Sequence, residues 1–531
     1  DFGYLYIADS GVTKYKSLSP MLHDSIDFKR IFSIKINSEN KVLFQSKKYV
    51  FIYYENKIDI ISSSGVDVFH EAFIHNDEFY VRVKNKGICV LKGNEFKLIE
   101  HGEFFSDINV FNITEFNQKI LVLTDHGIYE LSKNEAPKEI HIEKLKNQAL
   151  YRSINIEDKY LSIGTFGKGV FLVDREFKIK YLIDQKSGLL DGVILCQYLD
   201  KDGNLWIGTN NGISKVLINS PISLYNLKEN KISTIEGIIE YQDKIFISTL
   251  NGVYYSFKNN FQKGLTELKG IDVDCYGFMV FKSPSDTILL IAAVDGIFSY
   301  HNDGELKFIA ECSPYNMMSS FDDPSRIIVC NYKGLSSIRW NGNEFVDEGF
   351  VSNFNEDVYN FEYDDQGDLY IGSKKKGLYK TSFKVFDDHT IPIENITQEV
   401  GLDNGHAYVE KIENKIIVGS HSGIFARENN QWKKTDIFGD AKHKHYGIHR
   451  INQLPNGEVW MVTYNDDNIY EFEVGYAKKK NGRYKWYPDD FKNYSDELIH
   501  SIYKDKDGIV WLGGVKRIYR YDPNFKKSKT T

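Results

Sequence analysis

The stretch DKDGNLWIGTNNGI, Asp200 to Ile213, constrains the fold of this chain more than any other part of it. Leu205 and Ile207 alternate with Trp206, the period-2 pattern of a β-strand. Asp202-Gly203 and Asn211-Gly212 flank that strand and are dipeptides that mark two-residue hairpin turns. The stretch therefore predicts strand, turn, strand, turn, strand. A near copy, DKDGIVWLGG, runs from Asp505 to Gly514, and a looser one, DDQGDLYIGS, from Asp364 to Ser373.

The same unit can be followed along the whole chain. Gly3 to Val12 is the second half of a unit whose opening strand is missing, and strands at Lys41–Gln45, Phe79–Val83, Ile120–Thr124 and Tyr160–Thr165 mark four more. The opening motif is the sixth. After Ser220-Pro221 the second strands at Ile245, Ile288, Ile327, Leu369, Ile416, Val459 and Val510 add seven, giving thirteen units at intervals of about forty residues. Four short strands per unit at that spacing is the signature of propeller blades, whose radial closure removes exposed sheet edges. One ring holds roughly four to eight blades, so two rings are required. The expected fold is all-β, two consecutive β-propellers of four-stranded blades, about seven in each. The polar run Lys228–Lys231 suggests an N-terminal propeller over residues 1–226 and a seven-bladed one over 227–531. If the first ring also has seven blades, either a blade precedes Asp1 or the division falls nearer residue 270. The best helical candidate, Ile140 to Leu150, is short and reads as a blade connection.

Composition closes off several functions. With 66 Lys and Arg against 74 Asp and Glu, and a pI near 6.0, the chain lacks the basic excess of a nucleic-acid binder. Its longest apolar run, Ile288–Val294, is too short to span a bilayer. No leader pattern opens the sequence, which reads as a mature form or a fragment. The five cysteines are odd in number and follow no CxxC spacing, so buried free thiols are expected rather than disulfides or zinc.

No nucleophile elbow, His-Glu-x-x-His, phosphate loop or dinucleotide fingerprint is present, and neither catalytic residues nor a cofactor are expected. Asp200–Asn204 resembles the start of a calcium loop, but Leu205 and Asn211 stand where Gly and Glu are needed; an Asx-bonded turn is the better reading. His443, His445 and His449 share one face of an extended segment, but Lys442 and Lys444 between them repel cations, and no metal is expected. Trp206, Trp460 and Trp511 recur at one strand position and are expected to pack between blades. Lys478–Lys480 lies in a longer insertion that reads as a solvated hairpin.

Binding residues concentrate on loops carried by a rigid scaffold, and here the loops vary while the strands repeat. Thr165–Lys168, Lys374–Lys376, His421-Ser422 and Tyr464–Asn468 are such loops, and His406, Tyr408, Tyr446 and His500 sit near the starts of inner strands. Aromatic and hydrogen-bonding groups together suit a sugar, whose apolar face stacks while its hydroxyls pair. The candidate ligand-binding residues are Lys375, His406, Tyr408, His421, Tyr446, Tyr464, Asp466 and Asp467.

From Leu189 to Ile213 the chain resembles the two-component regulator propeller repeat, whose pattern pairs an Asp-x-x-Gly turn with Leu-Trp-Ile-Gly-Thr; residues 498–521 are similar, and 358–379 and 448–470 partly so. In the last of these Pro455-Asn-Gly457 replaces the acidic turn, and the N-terminal units lack that turn almost throughout. The link Ile218–Tyr225 resembles the one joining two propellers in the triple-tyrosine branch. The resemblance implies a periplasmic double propeller of an inner-membrane regulator, followed beyond Thr531 by a β-sandwich, a membrane helix and a kinase or helix-turn-helix output. It also implies a small-molecule or oligosaccharide ligand, and a homodimer formed through that sandwich. Nucleic acid is not expected to touch this segment, and the membrane only through the later helix. A related double propeller serves as a scaffold in protein secretion, which is the alternative; a propeller lyase or hydrolase ranks third.

Overall fold

The computed structural model describes the chain except residues 9–10, 64–67, 133, 147, 228–231, 259–260, 262–263, 285, 383–388, 404, 429–430, 436, 439–445, 466–467, 489–490, 492–496 and 526–531. The described residues form thirteen antiparallel sheets, six in a first unit ending at Ser220 and seven in a second beginning at Pro221. In most, four strands follow one another in chain order, and the first strands of successive sheets pack side by side, so they form the wall of a central channel. Each unit is a β-propeller.

The boundary expected after Asn226 falls instead between Ser220 and Pro221. Strand Ile222–Asn226 leaves the first unit and pairs with Arg517–Tyr521, becoming the outermost strand of the sheet built by Ser501–Lys504, Val510–Gly513 and Arg517–Tyr521. The beginning and end of the second unit are thereby joined in one blade, and Asp522 N donates to Pro221 O at 2.9 Å. Lys258 reinforces the closure, its ammonium lying 3.3 Å from Asp505, 3.4 Å from Glu240 and 2.5 Å from Asp507. The first unit shows no such strand among its described residues. Its first sheet has two strands, Gly3–Ile7 and Thr13–Ser17, and its last has three, Ile194–Leu199, Leu205–Thr209 and Gly212–Val216.

The repeated motif does structural work in two places. Asp200 Oδ1 accepts from the backbone N–H of Asp202 and Asn204 at 3.0 and 2.8 Å, an Asx-bonded turn with Gly203 at φ +77°. Gly203 N also donates to Asp200 O at 2.9 Å, so the loop spans three residues with Gly in the left-handed position, not the two expected. In the following turn Thr209 pairs with Gly212, leaving Asn210-Asn211 as the two-residue loop. The other oxygen, Asp200 Oδ2, accepts from Trp206 Nε1 at 2.8 Å, and Asp505 repeats both roles for its own turn and for Trp511. In the 448–470 copy Leu454 takes the place of the aspartate, and the buried Trp460 Nε1 has no partner among the described residues.

Two sequence expectations need correction. Trp511 is 2% exposed and Trp460 fully buried, but Trp206 is 38% exposed because no sheet covers its face among the described residues. Cys196, on the same sheet, is exposed while the other four cysteines are buried. The Ile140–Leu150 connection holds only a 3-10 turn at Glu143–Leu145, and the insertion is an extended hairpin of Asn468–Lys480 with Arg483–Tyr487. Among the described residues no helix is long and apolar enough to cross a membrane.

Candidate functional site at the channel mouth of the second unit

Inner strands begin in a characteristic way. Registers shift at Ile235/Gly237, Cys275/Gly277, Pro314/Asn316, Val358/Asn360 and Ile448/Arg450, leaving one extra residue in each. A bulge bends its strand and re-aims the unpaired side chain. Here the extra residues are Glu236, Tyr276, Tyr315, Tyr359 and His449, and His406 and His500 stand just ahead of the two remaining inner strands. Each inner strand of this ring thus brings one polar or aromatic side chain to the same end of the channel.

The side chains form a continuous arc. His500 Nδ1 lies 3.4 Å from Glu236 Oε1, and its ring centroid is 5.5 Å from that of His449. His449 and His406 are stacked at 6.4 Å, and the His406 ring lies 5.0 Å from Tyr359, whose hydroxyl meets His406 Nε2 at 2.5 Å. On the other side the Tyr276 and Tyr315 rings are 5.0 Å apart, and Lys374 places its ammonium 3.7 Å from the centre of Tyr315.

Burial sets the protonation of this arc. It pushes His406 and His500 down to about 4 and His449 to about 3, with Arg450 adding repulsion at the latter two and His421 at His406. The imidazoles are therefore neutral at pH 7, each offering one N–H and one lone pair. Burial also pushes the phenols of Tyr276 and Tyr315 up to about 12, and raises the Glu236 carboxyl. Further along the inner strands burial raises the Glu362 carboxyl against the pull of Lys411, and holds Glu410 up at about 8 with Glu362 adding to the shift and Arg450 opposing it. Two buried polar atoms in the mouth wall, His406 Nδ1 and Asp357 Oδ1, have no hydrogen-bond partner among the described residues.

The structure brings some of the expected site residues together and leaves others apart. His406 belongs to the arc. His421 reaches it from the adjoining loop, its ring 6.2 Å from His406, with Nδ1 bonded to the hydroxyl of Tyr464. Tyr408 is buried in the channel wall, 5.9 Å from Tyr359, with the Arg450 guanidinium over its ring. Lys375 is exposed on the loop, and it is its neighbour Lys374 that meets the aromatic arc. Tyr446 begins the strand Tyr446–Gln453, and Asp466 and Asp467 lie outside the described residues, as do His443 and His445. Among the described residues no three His, Cys, Asp or Glu side chains are placed so as to hold a metal ion together. Sequence reading missed Glu236, Tyr276, Tyr315, Tyr359 and Arg450, and within the Lys374–Lys376 loop it chose Lys375 in place of Lys374. Their signal is a break in alternation, an apolar residue, one extra residue, then a polar residue or Gly, as in Pro314-Tyr-Asn and Ile448-His-Arg.

With this geometry in hand, fold and repeat define a class: a pair of consecutive β-propellers. Two stretches, residues 188–211 and 493–516, match the two component regulator propeller model, so the chain carries the repeat of that family. Among solved structures the chain is similar to the extracellular domain of a protein assigned as a hybrid two component system from B. thetaiotaomicron. The TM-score is 0.70 at 14% identity, covering 97% of this chain and 71% of that one. The extracellular domain of a protein assigned as a one component system from the same organism is more distant, with TM-score 0.46 and 13% identity over 94% of this chain and 82% of that one. Virginiamycin B lyase from Staphylococcus aureus aligns with 56% of the chain at TM-score 0.41 and 13% identity, covering 98% of its own length. Neither of these two is near enough to carry an argument. No curated protein matches the chain significantly.

Proposed function

We propose that the chain is the ligand-sensing, extracytoplasmic part of a membrane-spanning signal-transduction regulator, and that it recognises a glycan or similar nutrient at the channel mouth of the second unit. One observation carries the reading: neutral imidazoles, phenols and one ammonium converge there beside two buried polar atoms, His406 Nδ1 and Asp357 Oδ1, that have no partner among the described residues. Buried polar groups are nearly always paired, so an unpaired pair at a concave mouth suits a ligand that supplies the missing bonds. Rings for the apolar face of a sugar and alternating donors and acceptors for its hydroxyls lie within one arc. The repeat family and the extracellular relative support periplasmic placement and a sensor role. Signalling further requires that the ligand favour one of two states of the whole regulator.

The reading is tested by a thermal-shift screen of the 531-residue chain against neutral oligosaccharides, with His406→Ala and Lys374→Ala alongside. A stabilising glycan whose effect both variants weaken is the expected result. If no glycan stabilises the chain while a protein partner binds it stably, the scaffold reading replaces this one.

A further inference from the structure

The first unit uses the same device with different occupants. Its registers shift at Phe69/Glu71, Val110/Asn112, Leu150/Arg152 and Ile194/Cys196, so the extra residues are His70, Phe111, Tyr151 and Leu195. Three of them form an aromatic arc with Phe166 of the adjoining loop. The ring centroids are separated by 5.8 Å from His70 to Phe111, 5.3 Å from Phe111 to Tyr151 and 6.4 Å from Tyr151 to Phe166. Phe166 is 60% exposed, so the arc ends in a ring open to solvent.

Beside the arc lies a guanidinium fixed in place and only half used. Arg152 stacks on Tyr151 at 4.5 Å and donates from Nη1 to Phe111 O at 3.0 Å, with Glu71 Oε1 at 3.5 Å. Its Nε and Nη2 have no acceptor among the described residues. Lys35 shares the field of Glu71 and Arg152, and burial lowers its ammonium, but it makes no ion pair among the described residues. Two cations therefore face one carboxylate, Glu71, which burial holds above its ordinary range. Two other charged groups near this mouth have partners elsewhere. Arg82 donates to Phe105 O and Ser106 O, and Asp125 is bonded to Asn109 and His126.

We propose that the channel mouth of the first unit is a second binding site, for a small ring compound bearing a carboxylate. Arg152 takes the carboxylate through its unused N–H groups with Lys35 in support, and the His70–Phe111–Tyr151–Phe166 arc takes the ring. A planar guanidinium held by stacking is preorganised for a carboxylate, and a tilted aromatic arc accepts either the apolar face of a sugar or an aromatic ring. An acidic sugar and an aromatic acid share this chemistry. The proposal does not rest on the site of the second unit.

The test is calorimetric titration of the 531-residue chain with glucuronic acid and with 4-hydroxyphenylacetate, each beside its neutral amide. One acid is expected to bind at one site per chain, with its amide weaker by roughly tenfold or more, as loss of a charge-assisted bidentate pair implies. Whichever acid binds identifies the source. Arg152→Ala and Phe166→Ala are each expected to weaken that acid about tenfold. Lys374→Ala, in the other unit, is expected to leave it unchanged. Phe166 is exposed, so its variant tests the site even if Arg152→Ala disturbs folding. Failure of both acids to bind at millimolar concentration overturns the proposal. So does equal binding of the amides, binding that survives Phe166→Ala, or binding lost in Lys374→Ala.

Discussion

The two channel mouths are built on the same backbone device and end with opposite chemistry. In both, a bulge at the start of the inner strand turns one extra side chain toward the channel. The first unit fills those positions with His70, Phe111, Tyr151 and Leu195 beside Arg152 and Lys35. The second fills them with Glu236, three tyrosines and histidines beside Lys374, over the carboxyls of Glu362 and Glu410. The one is aromatic with cations in excess; the other is rich in hydrogen-bonding groups, with neutral imidazoles. The scaffold is thus indifferent to what it presents, and recognition can differ between units at no cost to the strands.

A second contrast lies in how far each ring is closed. Trp206 and Trp511 occupy the same motif position and donate to equivalent aspartates, at 2.8 and 3.0 Å. Trp511 packs against Phe261 at 4.8 Å inside the closed second unit, whereas among the described residues Trp206 has only Lys215 over its ring, at 5.2 Å. Removing a fully buried indole costs about 3–5 kcal/mol, so Trp511→Ala is expected to lower the stability of the second unit by that amount. Trp206→Ala is expected to cost the first unit about 1–2 kcal/mol, since much less area leaves water-free surroundings. Denaturant unfolding of both variants measures the difference. Equal losses would mean that the Trp206 face is covered in solution, and the contrast between the rings would fall.

The next largest expected effect is the response to acid. Burial holds His406 and His500 at about 4 and His449 at about 3, below the value of about 6.5 for a free imidazole. The unfolded chain therefore takes up protons first as pH falls. The stability these groups contribute is complete above about pH 6.5 and is lost toward pH 4, at up to about 1.4 kcal/mol per pH unit for each histidine. Glu410 acts in the opposite sense. Held up at about 8, it keeps a proton that the unfolded chain gives up above about pH 4.3, so it stabilises on acidification and offsets about one histidine. In the first unit His70 is the single mouth imidazole among the described residues that burial lowers. Denaturation at pH 7 and pH 5 is expected to show the larger loss in the second unit, and equal slopes would remove the distinction between the mouths.

Repetition is why the fold could be read from the sequence. Asp, Gly and Trp recur at fixed offsets in the clearest copies, where the same turn and the same packing are built again, and thirteen partial copies define the strands together. The boundary after Asn226 was misplaced because Ile222–Asn226 pairs with Arg517–Tyr521, almost three hundred residues away, and no local pattern encodes that partner. The site was legible only in part. His406, His421 and Tyr464 stand out as polar rings in variable loops. Tyr276, Tyr315 and Tyr359 look like ordinary strand aromatics until the register shift turns them toward the channel. Lys374 and Lys375 cannot be told apart in a run of three lysines; the direction of the loop selects the first, which lies over Tyr315.

The smallest expected effect separates a paired hydroxyl from an unpaired one. Tyr464 bonds through its hydroxyl to His421 Nδ1, and their rings meet edge to face at 5.3 Å. Tyr464→Phe keeps the ring but leaves an imidazole nitrogen without this partner, at a cost of about 0.5–1.5 kcal/mol. The hydroxyl of Tyr151 in the first unit has no partner among the described residues, so Tyr151→Phe is expected to leave stability unchanged. Measured side by side by urea denaturation, a loss in Tyr464→Phe alone would show that the second mouth spends its polar groups partly on holding its own shape. A loss in both would mean that Tyr151 is also committed within the fold, and the first mouth would then offer a ligand only its rings and Arg152.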